Sequence, residues 1–322
     1  LGLSCSWNPE LIEEIGRITA KEASHTGVHW TFSPVLGTAR DLRWGRIDET
    51  FGEDPYLVGV LGSGLIRGYQ GDDLADPHTI LACAKHYAGY SGAQGGRDSA
   101  EADLSKRTMC SLFLPPFRDA VEAGCGTLMA GYHAIDGTPC SANRWLLRDV
   151  LKEEWGFGGF VVSDWNNVGY MHTMQKTCAT MEEAAQLAVE AGNDMSMTTP
   201  EFPETAVRLV ESGRLDVAHV DEACRRILRL KFELGLFENP YTDPASLPEY
   251  ANDRALQVAR DLALQSGVLL KNDYGVLPLA SEQLTSVAVI GPLADARYEQ
   301  LGTWIFDGDE ELSITPLQAM RC

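Results

Sequence analysis

The sequence is poor in positive charge. Its 322 residues include 26 Lys and Arg against 46 Asp and Glu, so the formal net charge is −20. Nucleic-acid binding relies on clustered cations that neutralise phosphates. We therefore expect no nucleic-acid partner, while the acidity by itself points to no particular ligand.

Long apolar runs are also missing, although 44% of the residues are hydrophobic. No segment approaches the roughly 20 consecutive apolar residues that a membrane-spanning helix requires. The Cys residues are scattered, with no Cys-x-x-Cys pair and no His at zinc-finger spacing. We expect free thiols, no metal, no cofactor and no membrane partner.

Short apolar runs alternate with longer segments of helical period, which is typical of βα units around a parallel sheet. The predicted strands are Val28–Val35, Ile80–Ala84, Thr127–Ala130, Phe160–Ser163 and Asp194–Met197. Capping residues and apolar spacing predict helices that start at Asn8, about Asp54, about Ser105, Asn143 and about Val220. The predicted fold class is α/β, with a TIM-like (β/α) barrel that is incomplete at its amino terminus.

A second domain is predicted after the barrel. Three prolines without any period between Phe237 and Tyr250 indicate a linker. Beyond it, a helical segment precedes two predicted strands, GVLLKN and SVAVIGPLAD. The predicted division is a partial barrel over 1–237, a linker over 238–252 and the beginning of a truncated second domain over 253–322. Since the chain starts at Leu1 rather than Met, we expect it to be an internal piece of a longer protein.

Polar residues at the ends of the predicted strands are the candidates for chemistry, because barrel enzymes place reacting groups there. Asp164 ends an apolar run and precedes Trp165, which suits a nucleophilic carboxylate beside an aromatic platform for a sugar. An Asp that caps the next helix is an equally good interpretation. Tyr132 and Met129 are predicted to line the pocket wall, although Met129 fits the core as well.

Two cationic segments accompany these residues. Lys85 and His86 could hold hydroxyls, a phosphate or a carboxylate, and Lys85 could form a Schiff base with a carbonyl. A salt bridge from Lys85 to Asp164 or Asp98 is the alternative. Arg46 offers a guanidinium that could clamp vicinal hydroxyls, or it could pair with the nearby Asp48 and Glu49.

The chain resembles glycoside hydrolase family 3 in several long segments that follow the family's order. The segments are FSPVLGTARDLRWGRIDETFGEDPYLVG, CAKHYAGYSGAQGGRDS, TLMAGYHAIDGTPCSANRWLLRDVLKEEWGFGGFVVSDW, AVEAGNDMSM, and GVLLKNDYGVLPL with VAVIGPLAD. The segment KHYAGYSGAQGGRDS is similar to the β-glucosidase and β-xylosidase branch. It lacks the Gly-His-Gly and Asp-Ser-His loop that is typical of the family's β-N-acetylhexosaminidases.

The resemblance implies a barrel followed by an α/β sandwich domain. It also implies a retaining exo-acting β-glycosidase, with a β-glucosidase as the first expectation and a β-xylosidase as the alternative. Asp164 matches the family's nucleophile. The residues that match sugar-binding positions are Arg46, Lys85, His86, Tyr132 and Trp165.

Two departures from the family pattern bear on activity. From the resemblance, we expect an upstream Asp that binds sugar hydroxyls and a general acid/base, usually a Glu of the second domain, to fall outside this sequence. Two alternatives from other classes therefore stay open: a Schiff-base lyase that uses Lys85, and a catalytically incomplete sugar-binding fragment.

The expected partner is a small saccharide, and a homo-oligomer stays open. A periplasmic or secreted location is favoured over the cytoplasm.

Overall fold

A computed structural model describes residues 1–243, 245, 250–305 and 308–321. The chain forms two compact units, Leu1–Gly267 and Val268–Cys322. Within the described residues, no helix has the length and apolar character that crossing a membrane would need.

The first unit is built around a parallel sheet. The strands, in chain order, are β1 (Cys83–Tyr87), β2 (Thr127–Ala130), β3 (Ala134–Ile135), β4 (Thr138–Pro139), β5 (Phe160–Trp165) and β6 (Met195–Met197). β1, β2, β5 and β6 pair in parallel in that order, while β3 and β4 form a small antiparallel pair. The parallel order follows the chain order, as expected for successive βα units.

The predicted strand Val28–Val35 lies beside β1 and the residues just before it, with isolated bridges from Trp30 to Leu81 and from Val35 to Lys85. The Cys83 and Lys85 N–H groups of β1 donate to carbonyls of this segment, but no continuous strand forms there. Pro34 interrupts this segment, and a proline has no N–H to contribute to a ladder. The prediction that β1 covers Ile80–Ala84 is shifted by three residues, since the strand runs from Cys83 to Tyr87.

Helices connect the strands and cover the sheet. They are α1 (Pro9–Ser24), α2 (Pro55–Gln70), α3 (Lys106–Thr108), α4 (Pro115–Glu122), α5 (Asn167–Thr173), α6 (Met181–Ala191), α7 (Glu201–Glu211), α8 (Val217–Glu233), α9 (Asp253–Gln265) and α10 (Pro316–Ala319). Two further segments, Met109–Phe113 and Trp145–Glu154, are π-helical. The helix predicted to start at about Ser105 is therefore divided into three short helical pieces, α3, Met109–Phe113 and α4.

Side-chain caps explain several helix starts. The Asn8 side chain accepts a hydrogen bond from Leu11 N–H at 3.0 Å, and the Asp54 carboxylate accepts one from Tyr56 N–H at 2.8 Å. Such a cap satisfies a backbone donor that the first turn leaves unpaired. The predicted starts at Asn8 and Asp54 are thereby confirmed.

The two faces of the sheet pack into different clusters. Leu128 and Ala130 lie in a large cluster with residues of α1, α2 and α4, whereas Met129 packs with Phe160 and Val162. The alternation follows from the pleat of β2, in which successive side chains point to opposite faces. Both faces of the sheet are buried, as in an α/β fold.

The predicted start of the second domain at residue 253 differs from the structure. α9 packs against α1, where Arg254 pairs with Glu14 and Asn8 Nδ2 donates to Gln265 Oε1 at 2.9 Å. The second unit therefore starts at Val268. Helical period alone does not reveal which domain receives the apolar face of a helix. Within the predicted linker, residues 244 and 246–249 lie outside the described residues.

The second unit forms no strand in its described residues, so the two strands predicted there are wrong. Their apolar side chains are exposed, and Leu270 and Ile290 are each 90% exposed. An extended segment becomes a strand only where a neighbouring segment supplies partners for its N–H and C=O groups. Helix α10 of this unit starts with a capping box between Thr315 and Gln318.

A substitution in the α1–α2 contact tests the packing of the first unit. A Cβ atom at Gly68 would meet the backbone of Glu13 and Gly16, which cannot move aside. Although Ala favours helices, Gly68→Ala is expected to lower the free energy of unfolding by about 1–3 kcal/mol. Gly59→Ala in the same helix meets only the Asp119 side chain, so it should lower that energy less. Urea titrations that show equal losses would contradict this packing.

Candidate functional site

The candidate site lies at the carboxyl ends of β1, β2 and β5. Lys85 and His86 are contributed by β1, and Asp164 and Trp165 by β5. Tyr132 follows β2 by two residues. Lys85, His86, Asp164 and Trp165 lie within their strands and not just after them, because β1 and β5 end further along the chain than the sequence predicts.

A register shift in β1 places two consecutive side chains at the site. Lys85 pairs with Met129 and Tyr87 pairs with Ala130, so His86 is an extra residue in the ladder. In a regular strand, neighbouring side chains would point to opposite faces. Because of this bulge, the Tyr87 side chain packs in the large cluster with α1, α2 and α4, while Lys85 and His86 both remain near Asp164.

Asp164 is buried, and its two oxygens differ. Oδ1 accepts a hydrogen bond from the backbone N–H of Trp165 at 2.7 Å. Oδ2 lies 3.5 Å from Nε2 of His86 and has no hydrogen-bond partner in the described part of the chain. A buried carboxylate oxygen without a partner is the kind of polar atom that a substrate can meet.

Burial raises the pKa of Asp164 above its usual range. The Trp165 N–H, the Tyr132 hydroxyl and the cations Arg46 and Lys85 act in the opposite direction. The two cations thus favour the ionised carboxylate, but desolvation outweighs them.

Arg46 reaches the site from the loop after the first bridged segment. Its guanidinium makes a bidentate ion pair with Glu49, at 2.7 and 2.9 Å, and Nη2 lies 3.2 Å from Nε2 of His86. Burial alone would lower the pKa of Arg46, but the Glu49 carboxylate outweighs this and raises it. The predicted ion pair with a nearby acid is therefore confirmed for Glu49, while a role of Arg46 in clamping hydroxyls stays a prediction.

Burial lowers the pKa of the other two cationic candidates. Burial, followed by the positive charge of Arg46, lowers the pKa of Lys85, while Asp164 opposes the shift. The same two influences lower the pKa of His86 well below its usual range. His86 is therefore a neutral imidazole at neutral pH, and its Nδ1 has no partner among the described residues.

Tyr90 organises the aromatic side of the site, and no sequence pattern marks it. Its ring lies 5.7 Å from the Arg46 guanidinium, 5.3 Å from the His86 ring and 4.9 Å from the Trp44 ring. His133 stacks on Tyr90 with an interplanar angle of 6°. Tyr90 thus contacts two of the predicted site residues through ring interactions that depend only on the fold.

The remaining predicted residues divide between pocket and core. The Trp165 side chain is 58% exposed, as a platform for a ligand would be, and Tyr132 is half-buried near Asp164. Burial and the Asp164 carboxylate raise the pKa of Tyr132. Met129 is only 2% exposed within the core cluster, so the structure favours its packing role over the predicted place in the pocket wall.

Metal binding has no structural support in the described residues. Nowhere among them do three His, Cys, Asp or Glu side chains come together in a group that could hold an ion. The polar groups that come together here are instead the Asp164 carboxylate, the Arg46 guanidinium, the Lys85 amine and the neutral His86 imidazole. Such groups bind hydroxyls by charge-assisted hydrogen bonds.

Comparison with known proteins decides the family. Residues 1–230 match the description "Glycosyl hydrolase family 3 N terminal domain", and residues 267–322 match "Glycosyl hydrolase family 3 C-terminal domain". The chain belongs to glycosyl hydrolase family 3. The resemblance and the TIM-like α/β class predicted from the sequence are thereby confirmed.

Members of family 3 with named activities match most of the chain. A periplasmic β-glucosidase from Salmonella typhimurium is 35% identical over 100% of this chain and 42% of its own length. A β-xylosidase from Formosa agariphila is 39% identical over 93% of this chain and 43% of its own length. The chain therefore spans about two fifths of these relatives.

Solved structures of family 3 agree with the fold. A β-glucosidase from Listeria innocua in complex with glucose is 36% identical, with a TM-score of 0.93 over 99% of this chain and 44% of that one. A β-glucosidase of intestinal bacteria involved in saponin metabolism is 49% identical, with a TM-score of 0.89 over 94% of this chain and 40% of that one.

The buried histidines of this family 3 chain predict acid sensitivity. Burial lowers the pKa of His133 to about 4, below the value of about 6.5 in an unfolded chain. Between these pH values the unfolded state binds a proton that the folded state does not. The free energy of unfolding should therefore fall as pH drops from about 6.5 to 4, by up to about 1.4 kcal/mol per pH unit.

His133→Phe keeps a ring against Tyr90 but removes the titrating group. Urea titrations at a series of pH values should then show a shallower pH dependence, whatever the variant's stability at pH 7. An unchanged slope between pH 6.5 and 4 would contradict the assignment.

Proposed function

We propose that the protein is a retaining, exo-acting β-glycosidase, and a β-glucosidase in the first place, that forms a covalent glycosyl-enzyme on Asp164. The observation that carries this proposal is the buried Oδ2 atom of Asp164, which lacks a hydrogen-bond partner among the described residues. Arg46, Lys85 and His86 surround the same carboxylate. The named activities of the relatives support the same chemistry.

In the proposed mechanism, Oδ2 attacks the anomeric carbon while a second carboxyl group protonates the departing oxygen. Retaining enzymes hold these two groups about 5 Å apart. Water then attacks the glycosyl-enzyme, which releases the sugar with its configuration retained. We assign no residue of this sequence as the proton donor, because the resemblance to the family places it in the second domain.

Asp164 must be ionised to attack. Burial disfavours that form, so the nearby Arg46 and Lys85 charges and the Trp165 N–H are needed to maintain it. His86 is neutral and adds no repulsion to the cations that flank it. The site thus combines a low dielectric with fixed positive charge, which stabilises a carboxylate that is poorly hydrated.

Substrate recognition is assigned to the cations and to Trp165. Arg46 and Lys85 would donate to hydroxyls of the terminal sugar, and the exposed indole of Trp165 would cover one sugar face. A β-xylosidase is the alternative, favoured by the similarity to a named β-xylosidase. The values of kcat/KM on aryl β-glucoside and aryl β-xyloside separate the two.

We further propose a periplasmic or secreted location. The support is the match to a periplasmic β-glucosidase. Cell fractionation with an antibody against the protein tests this assignment, and recovery in the cytoplasmic fraction would overturn it.

Asp164→Asn is expected to abolish turnover of an aryl β-glucoside by the full-length protein, because an amide oxygen is a poor nucleophile. A 2-deoxy-2-fluoroglucoside should label Asp164 in the unaltered protein. Asp221→Asn, at an exposed position of α8, is the matched control and should keep full activity. Near-normal kcat in Asp164→Asn, or a label on another residue, would refute the assignment.

Lys85→Ala should raise KM and lower kcat together, since hydroxyl contacts tighten in the transition state. A hydrogen bond from a charged donor contributes about 1.5–3 kcal/mol, so kcat/KM should fall by about ten- to a hundredfold. Lys231→Ala, exposed on α8, is the control. An unchanged kcat/KM would remove Lys85 from the site, and borohydride trapping of an adduct on Lys85 would favour the Schiff-base lyase instead.

A further inference from the structure

The strand that carries Asp164 contains one residue more than its neighbour at the site. Val162 pairs with Met195 and Trp165 pairs with Met197. Two residues of β5 therefore stand opposite one residue of β6. A direct ladder bond cannot span such a step, because the backbone groups of the two strands are out of phase there.

Ser163 bridges the step with its hydroxyl. Oγ accepts a hydrogen bond from the backbone N–H of Met197 at 2.9 Å and donates one to the backbone carbonyl of Asp164 at 2.9 Å. The side chain is fully buried. The hydroxyl thus satisfies a donor on β6 and an acceptor on β5 that the register shift would otherwise separate.

The two hydrogen bonds of the Ser163 hydroxyl act on the backbone from which the Asp164 carboxylate projects. The next N–H along β5, that of Trp165, donates to Oδ1 of Asp164, and this contact turns Oδ2 toward His86. The carbonyl held by Ser163 and the N–H that holds Oδ1 belong to the same peptide unit, between Asp164 and Trp165. Rotation of that unit would move both contacts together, because a peptide bond is planar.

We propose that Ser163 is a positioning residue for Asp164. Its hydroxyl holds the peptide unit after the nucleophile so that Oδ1 is fixed and Oδ2 faces the substrate. This inference rests on the proposed function, since it assumes that Asp164 attacks the sugar. It assigns Ser163 no contact with substrate.

Loss of the hydroxyl predicts a particular kinetic pattern. In Ser163→Ala, the Met197 N–H and the Asp164 carbonyl lose their shared partner in a place that is closed to water. The peptide unit then loses the anchor on its carbonyl, and misplacement of a nucleophile by about 1 Å can lower the rate about a hundredfold. Arg46, Lys85 and Tyr132 stand on other elements, so KM should change little while kcat falls.

Thr127 offers a matched control. Its fully buried hydroxyl also links two segments, accepting from Trp30 Nε1 at 2.9 Å and donating to the Ala82 carbonyl at 2.7 Å. It lies at the amino end of β2, the end away from the site. Thr127→Val should therefore lower stability without changing kcat or KM of the folded enzyme.

The experiment measures kcat, KM and the rate of Asp164 labelling by a 2-deoxy-2-fluoroglucoside, all in the full-length protein. Ser163→Ala should lower kcat and the labelling rate about a hundredfold at nearly constant KM. Ser163→Thr, which keeps a hydroxyl, should restore most of the rate. Ser163→Cys, whose thiol is a weak donor and acceptor of similar size, should be intermediate and keeps the test available if Ser163→Ala does not fold.

Each outcome has a defined meaning. Labelling of Ser163→Ala or Ser163→Cys at the unaltered rate would overturn the positioning role while leaving Asp164 as the nucleophile. Equal losses of kcat in Thr127→Val would overturn it too, because the effect would then be one of general packing. If the unaltered protein is not labelled at Asp164, the proposed function itself fails, and the inference about Ser163 fails with it.

Discussion

The register shifts at the carboxyl ends of β1 and β5 are the constraint on which the candidate site depends. In a regular parallel ladder, Lys85 and His86 would point to opposite faces of the sheet. With one extra residue in β1, both side chains lie beside Asp164, and Tyr87 packs in the large cluster with α1, α2 and α4. The second shift, in β5, leaves Asp164 in the step between two paired residues, where its peptide unit is held by side-chain and backbone hydrogen bonds.

Burial then sets the electrostatics of the site. Desolvation is the largest influence on the pKa of Arg46, Lys85, His86 and Asp164 alike, and it disfavours the charged form of each. Glu49 compensates Arg46 through a bidentate ion pair, which keeps the guanidinium charged beside the carboxylate. The neutrality of His86 limits the repulsion within the group. Such a balance suits binding of an uncharged, hydroxyl-rich ligand, for which the acidic net charge of the chain has no steering role.

Local sequence signals predicted the elements that depend on local chemistry. β2 was predicted with its observed bounds, and the starts of α1 and α2 followed from the capping residues Asn8 and Asp54. Predictions were wrong where an element depends on a distant partner. α9 packs on the first unit instead of opening the second, and the apolar segments after residue 267 form no strands in the described residues, because no neighbouring strand pairs with them.

The sequence by itself determined which chemical groups the site contains and near which strands they lie, since residue type and apolar period are local properties. Such local properties were enough to predict the candidate site residues Asp164, Lys85, His86, Arg46, Tyr132 and Trp165. Only the tertiary structure decided that Met129 belongs to the core, that Tyr90 supports Arg46 and His86, and that Glu49 rather than Asp48 holds the guanidinium. These outcomes depend on strand register and on burial, and both arise from contacts between residues that are far apart in the chain.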